Sequence, residues 1–263
     1  MKRRDFSKVL ASTAALSLGA ASNGASAQGG KPIAGTHYAV VDPRAPVEAP
    51  AGKVEVVEFF WYDCPHCYAF EPTLDAWLKR LPKDIAFRRV PVAFDDSFAP
   101  QQRLYFALEG MGLVDKLHAK VFAAIHSERS LPKGAKGETI AEWVSRQGVD
   151  KAKFIEQYNS FTVAAKASRG TQLQNTYKLE GVPALGVGGR FLTDGPMDES
   201  WQASSPANRV TARNEGVGLG DDVDRVRNAH RVGGALRRLV NLERRSDREA
   251  GQALIQVRAA RAR

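Results

Sequence analysis

Cys64-Pro65-His66-Cys67 stands between two stretches that leave the chain few ways to fold. Before it, Val54 to Trp61 is an apolar run rich in Val and Phe and too short for a helix core, the pattern of a buried strand. After it, Tyr68, Phe70, Leu74, Trp77, Leu78 and Leu81 recur at threes and fours, as on the apolar face of a helix. Pro65 suits the first helical position, where its missing N–H costs nothing. Cys64 then falls at the cap, where unpaired backbone N–H groups and the positive end of the helix dipole lower a thiol's pKa. His66, when protonated, adds a positive charge nearby. The pair reads as a redox-active dithiol. A zinc half-site finds no second cysteine pair, and His37, His118, His126 and His230 lack ligand spacing. A structural disulfide closing two intervening residues would remove little unfolded-state entropy. No metal or organic cofactor is expected.

Along the strand, Val54, Val56, Glu58 and Phe60 share one face, and Glu55, Val57, Phe59 and Trp61 the other. A strand covered on both faces would partly bury Glu58, which could then relay a proton to or from Cys67. The alternative is a solvated strand charge, which is the reading for Glu55. Pro72, five residues beyond Cys67, interrupts a backbone bond and kinks the helix. Ile85 to Phe94 reads as a second strand, with Pro91 marking an edge or a bulge.

From about 97 to 179 the pattern becomes helical. Leu104, Ala107, Leu108 and Met111, then Leu117, Val121, Phe122 and Ile125, carry the spacing. Thr139 to Arg146 is a short helix with Trp143 inward, and Asp150 caps the next. His118 and His126 read as surface or partly packed residues rather than ligands. Val182-Pro183 is an X–Pro bond that spacing alone leaves open between cis and trans. In a tight turn facing the reactive site, the Val182 backbone could pair with an incoming peptide strand. Ala184 to Val187 and Arg190 to Leu192 form a strand pair joined by Gly188-Gly189.

Glu58-Phe59-Phe60 followed by Cys64-Pro65-His66-Cys67-Tyr68, with Gly181-Val182-Pro183-Ala184-Leu185 well downstream, resembles the DsbA family of thioredoxin-fold disulfide oxidoreductases of the bacterial periplasm. The likeness runs from about Val54 to Thr193. It implies an α/β, thioredoxin-like fold over 53–195, with an α-helical block (about 97–179) inserted between the CxxC half and the cis-proline half. It also implies a catalytic set of Cys64, Cys67, His66, Pro65 and the buried acid Glu58, with Val182 and a cis Pro183 binding substrate. Isomerase-like members tend to carry Thr before that proline, and Val182 resembles the oxidase branch. The implied activity is donation of the Cys64–Cys67 disulfide to unfolded or reduced exported proteins through a mixed disulfide. A DsbB-like quinone-linked membrane oxidase would restore the disulfide. The protein is expected to be a monomer. A reductase or isomerase on the same fold is the first rival, and an unstable or peptide-binding non-enzymatic relic the second.

The two ends differ from the middle. Lys2-Arg3-Arg4, an apolar stretch from Val9 to Ala21 and Ala25-Ser26-Ala27 make residues 1–27 an export signal, either ordinary secretory or twin-arginine. Export would deliver the chain to an oxidising compartment. Residues 28–52 read as an extended leader. The resemblance implies a final apolar helix closing the sheet, and none follows Met197. Residues 196–263 hold thirteen Arg and no Lys, Phe, Tyr or Cys. They read as an Arg-rich disordered tail arising from a shifted reading frame or an unrelated extension near Met197. Its weak periodicity (Val223, Val226, Val232, Leu236, Leu239) is broken by Gly233-Gly234. Of the net charge of +9, residues 28–195 carry only +2, so no nucleic-acid partner is expected.

Overall fold

The computed structural model describes residues 33–194, 234, 236–249 and 252. The expected export signal, and Val223, Val226 and Val232, lie outside them. The chain runs β1 (Ala39–Val40), β2 (Val54–Phe60), α1 (Pro65–Leu78), β3 (Ile85–Pro91), α2 (Ala99–Gly110), α3 (Val114–His126), α4 (Gly137–Arg146), α5 (Lys151–Asn159), α6 (Phe161–Thr176), β4 (Ala184–Val187) and β5 (Phe191–Asp194). A last helix, α7, follows over 236–249.

The sheet order is β1-β5-β4-β2-β3, with β2 parallel to β3 and antiparallel to β4. Between two neighbours, β2 is buried at every residue. Val54 and Val56 pack toward Phe70, Leu74 and Trp77 of α1, while Val57 and Phe59 pack toward Leu173 and Tyr177 on the opposite face. Pro91 ends β3, an edge strand, where its missing N–H breaks no ladder. Helices α2 to α6 are inserted between β3 and β4, giving the thioredoxin-like fold with a helical block. Their core extends to Phe60, Tyr62, Cys64 and Cys67, so the block packs directly behind the dithiol. Asp150 caps α5 by accepting from the Lys153 N–H at 2.8 Å.

Two expectations are corrected. Glu55 is not a solvated strand charge. It is 3% exposed, because Arg88 on β3 donates Nε to its Oε2 at 3.0 Å and the Glu48 N–H donates at 2.8 Å. Nor is the sheet left without a closing helix. Leu236, Leu239 and Val240 of α7 join Tyr38, Phe70, Leu74 and Trp77 in one buried cluster, and Gly234 is helical rather than a break. The relic alternative rested on an open sheet face, and α7 covers it.

Glu243 continues the same stripe at i+7 from Leu236 and is itself buried. Arg44 Nη2 donates to its Oε1 at 2.7 Å, and Arg190 Nε at 3.2 Å. Gly188, at φ +60°, makes room for that carboxyl, since a Cβ there would stand 2.5 Å from it. Arg244 pairs with Asp84 farther along the helix. If this docking holds the sheet face, Leu239→Ala should cost about 2–4 kcal/mol in urea unfolding at unchanged m. A loss below about 0.5 kcal/mol, the level of a surface substitution, would show that α7 does not carry the core.

Candidate active site

The end of β2 and the start of α1 are separated by Trp61, Tyr62 and Asp63, and this short loop is fastened from several sides. The Asp63 N–H donates to Gln101 Oε1 of α2 at 3.1 Å, and Asp63 Oδ2 accepts from the Gly134 N–H at 2.7 Å. His126 Nε2 of α3 donates to the Tyr62 carbonyl at 2.8 Å, and its ring stacks on Tyr68 at 5.0 Å. Trp61 packs on Phe98 with ring centroids 4.1 Å apart.

Held in this way, Cys64 is the N-cap of α1, with extended backbone (φ −78°, ψ 116°) and Pro65 at the next position. Its Sγ accepts from the Cys67 N–H at 3.4 Å. The Cys67 thiol and the backbone N–H groups of Cys67 and His66 hold the Cys64 pKa down to about 7 from 9.0, against the opposing effect of burial. Lys133, on the loop before α4, adds an attractive charge. Cys67 is fully buried, and that burial, followed by the nearby Cys64 sulfur, pushes its thiol well above 9.0. Two sulfurs within one helical turn are therefore driven in opposite directions.

The Val182–Pro183 bond is cis, and the Cys64 thiol donates to the Val182 carbonyl at 3.4 Å. Pro183 is buried and Val182 half-buried, while Pro65 and His66 are exposed at the mouth of the site. Glu58 lies in the interior, 0% exposed, close enough for its charge to act on Cys67. Arg89, its cross-strand partner on β3, donates Nε to Glu58 Oε2 at 2.8 Å. Burial first, and the neighbouring Glu71 carboxyl second, raise the Glu58 pKa to about 8 despite Arg89. The structure thus brings together all of Cys64, Pro65, His66, Cys67, Glu58, Val182 and Pro183. Among the described residues no group of three or more His, Cys, Asp and Glu side chains is arranged to hold a metal ion.

Sequence reading missed Arg89, Glu71, Tyr62, His118 and Lys133. His118 is corrected from a surface or partly packed residue to one that is 5% exposed, hydrogen-bonded to Tyr62 and Glu71. A signal existed for Glu71, which stands four residues beyond Cys67 and so on the same helical face.

With this geometry in hand, similarity to known proteins becomes informative. The DSBA-like thioredoxin domain is matched over residues 55–203. The thiol:disulfide interchange protein DsbA of Burkholderia cepacia is 44% identical over 186 residues, covering 71% of this chain and 87% of that protein. The protein of the same name from Bordetella parapertussis is 40% identical over 193 residues, covering 73% and 88%. Among solved structures, Pseudomonas aeruginosa DsbA superposes with a TM-score of 0.60 at 37% identity, over 69% of this chain and 91% of that one. The oxidoreductase DsbA from Xylella fastidiosa gives 0.61 at 28% identity, over 71% and 99%.

The Cys64 environment has a consequence for stability. A thiol that ionises near 7 in the fold and at 9.0 when unfolded adds nothing well below pH 7. Its contribution to the reduced form grows as pH rises from 7 to 9, toward roughly 3 kcal/mol. The oxidised form has no such thiol. Urea unfolding of both forms should show the stability difference moving in favour of the reduced chain across that window. A flat difference would mean that Cys64 is not held below its ordinary value.

Proposed function

The chain belongs to the DSBA-like thioredoxin family and is a thiol:disulfide oxidoreductase, and from that premise we propose that it is a periplasmic oxidant of exported proteins. The observation that carries this direction is the contrast between the two sulfurs. Cys64, at the helix cap, is stabilised as a thiolate, which favours the reduced state of this dithiol and makes Cys64 a good leaving group. A protein whose reduced form is stabilised oxidises others.

The steps follow from access and charge. A substrate thiolate attacks Cys64 Sγ, since Cys67 is fully enclosed. The Cys64–Cys67 bond breaks, its electron pair leaves on Cys67, and a mixed disulfide joins Cys64 to the substrate. A buried Cys67 anion is costly, so Cys67 takes a proton as it departs, and we assign Glu58, whose charge acts on Cys67 and whose own pKa is raised to about 8, as the acid that supplies it. A second substrate thiol, losing its proton to solvent, attacks the substrate sulfur of the mixed disulfide and expels the Cys64 thiolate. The substrate loses two electrons and this dithiol gains them. The Val182 carbonyl, before cis Pro183, lies against the attacked sulfur, which supports assigning the Val182 backbone to pair with an extended substrate segment. Pro65 starts the helix that stabilises Cys64, and His66 presents its side chain at the exposed mouth.

Export to the periplasm is supported by the signal-like amino end and by the family, and reoxidation is assigned to a DsbB-like quinone-linked membrane oxidase on the same ground. No helix among the described residues is long and apolar enough to cross a membrane. The rival is a reductase or isomerase on this fold, and equilibrium with glutathione separates them. The expected potential is more oxidising than about −180 mV, the level of protein disulfide isomerase, whereas about −270 mV, that of thioredoxin, would assign a reductase. Glu58→Gln should remove from the pH profile of thiol exchange the inflection that Glu58 contributes at about 8. An unchanged profile would show that Glu58 relays no proton.

A further inference from the structure

Behind the dithiol, buried ionisable groups are joined by hydrogen bonds whose directions can be worked out. Arg89, a donor only, gives Nε to Glu58 Oε2 at 2.8 Å and Nη2 to Glu71 Oε2 at 3.3 Å. Tyr62 Oη lies 2.9 Å from His118 Nδ1, and His118 Nε2 lies 3.2 Å from Glu71 Oε1. The Glu58 and Glu71 carboxyls are within hydrogen-bonding reach of one another, yet Glu58 Oε1 meets no donor among the described residues. Two carboxylates around one guanidinium leave a negative charge unmatched, so one of them retains a proton. Asp75, half exposed, adds a further negative charge 3.6 Å from Arg89, and Tyr105 of α2 packs on the His118 ring at 6.0 Å.

With both Oε2 atoms taken by Arg89, the proton sits on Glu58 Oε1 or on Glu71 Oε1, and two arrangements satisfy the bonds between these groups. In one, the Tyr62 hydroxyl donates to Nδ1, Nε2–H donates to an ionised Glu71, and Glu58 holds the proton. In the other, Nδ1–H donates to Tyr62, Nε2 accepts from a protonated Glu71, and Glu58 is ionised. The second strands the Tyr62 hydroxyl proton, because Tyr62 is 1% exposed and bonds no other acceptor among the described residues. It also leaves Glu58 Oε1 an ionised oxygen without a donor, whereas in the first that atom carries the proton.

We propose that His118 is a positioning residue that keeps the shared proton on Glu58, the carboxyl beside Cys67, by donating Nε2–H to Glu71. It touches neither sulfur and acts only through Glu71. Burial and Arg89 press the His118 pKa down to about 3, so the ring stays neutral and a single tautomer suffices. Burial raises Glu58 to about 8 and Glu71 to about 7, the order in which this arrangement empties. The use made of the proton rests on the Glu58 relay proposed above, but its location can be tested separately.

The experiment is an NMR titration of the glutamate side-chain carboxyls in the reduced full chain, with the His118 tautomer read from its ring nitrogens. The wild type should show the Nε2–H tautomer, with Glu71 ionising before Glu58. Because His118→Leu alone strands the Tyr62 hydroxyl, it is combined with Tyr62→Phe. In that pair the order should reverse, the ratio of the two protonated forms moving by about ten-fold or more, as loss of a charge-assisted hydrogen bond implies. His118→Gln, whose amide can still donate to Glu71, should restore the original order. An Nδ1–H tautomer in the wild type, or Glu71 ionising last there, overturns the proposal without any variant. An unchanged order in the double variant overturns it as well. The exchange profile of Glu58→Gln decides the relay independently of where the proton resides.

Discussion

One guanidinium set between two buried carboxyls is the constraint on which the active half of the molecule depends. Glu58 and Arg89 are cross-strand partners in β2 and β3, and α1 brings Glu71 to the same guanidinium one turn beyond Cys67. Arg89 therefore ties together the central strand, the edge strand and the helix that carries the cysteines. Because strand faces alternate, a register slip of one residue would turn Glu58 toward α6 and leave Arg89 facing Glu71 alone. Removing one partner from a buried ionic set costs about 3–5 kcal/mol, more than enough to select the native pairing. The arrangement that holds a proton near Cys67 is thus also what holds β2, β3 and α1 in register.

The helical block works on the same few residues from the other side. Gln101, His118, His126 and Gly134 belong to three different segments of the block, and each bonds to Tyr62 or Asp63 just ahead of Cys64. A cap cysteine profits from the helix dipole only where its sulfur stays over the first N–H groups, since the field falls off within a turn. Fastening the preceding loop keeps it there. The block also supplies Lys133, the charge that acts on Cys64 from outside the helix. It is part of the site rather than a spacer between two halves of a sheet.

What could be read from sequence and what could not divide along the distance between partners. The buried strand, the capped helix, the Gly188-Gly189 hairpin and the Asp150 cap rest on periodicity and turn chemistry within a few residues, and all were legible. Glu55 was misread because Arg88, which neutralises it, is 33 residues away. His118 shares a stripe with Phe122 and Ile125, yet what makes a buried imidazole tolerable is Tyr62, 56 residues distant, and Glu71, 47 residues distant. For α7 the sequence was misleading, because arginines crowd its exposed face and the change in composition after Gly195 suggested a lost helix. Leu236, Leu239, Val240 and Glu243 face inward, with Leu242 packed against the same cluster, and Glu243 is acceptable there because Arg44 and Arg190, 199 and 53 residues away in sequence, meet it.

The two sulfurs show why a helix cap alone does not make the site. With a pKa of about 7, Cys64 is half ionised at neutral pH, so only about 0.4 kcal/mol of its roughly 3 kcal/mol of thiolate stabilisation is realised there. The cap lowers the energy of the reduced state, but it says nothing about how Cys67 departs from the disulfide. Cys67 leaves into an interior that excludes water and raises its pKa well above 9.0. Its bond to Cys64 breaks readily only if a proton arrives with it. Environments that push neighbouring pKa values apart assign separate tasks to chemically identical groups. Here the helix cap bears on the equilibrium at Cys64, and in the proposed relay the buried acids bear on the rate at Cys67. The Tyr62–His118–Glu71 chain joins the two, because the loop that sets the cap also donates the first of its hydrogen bonds.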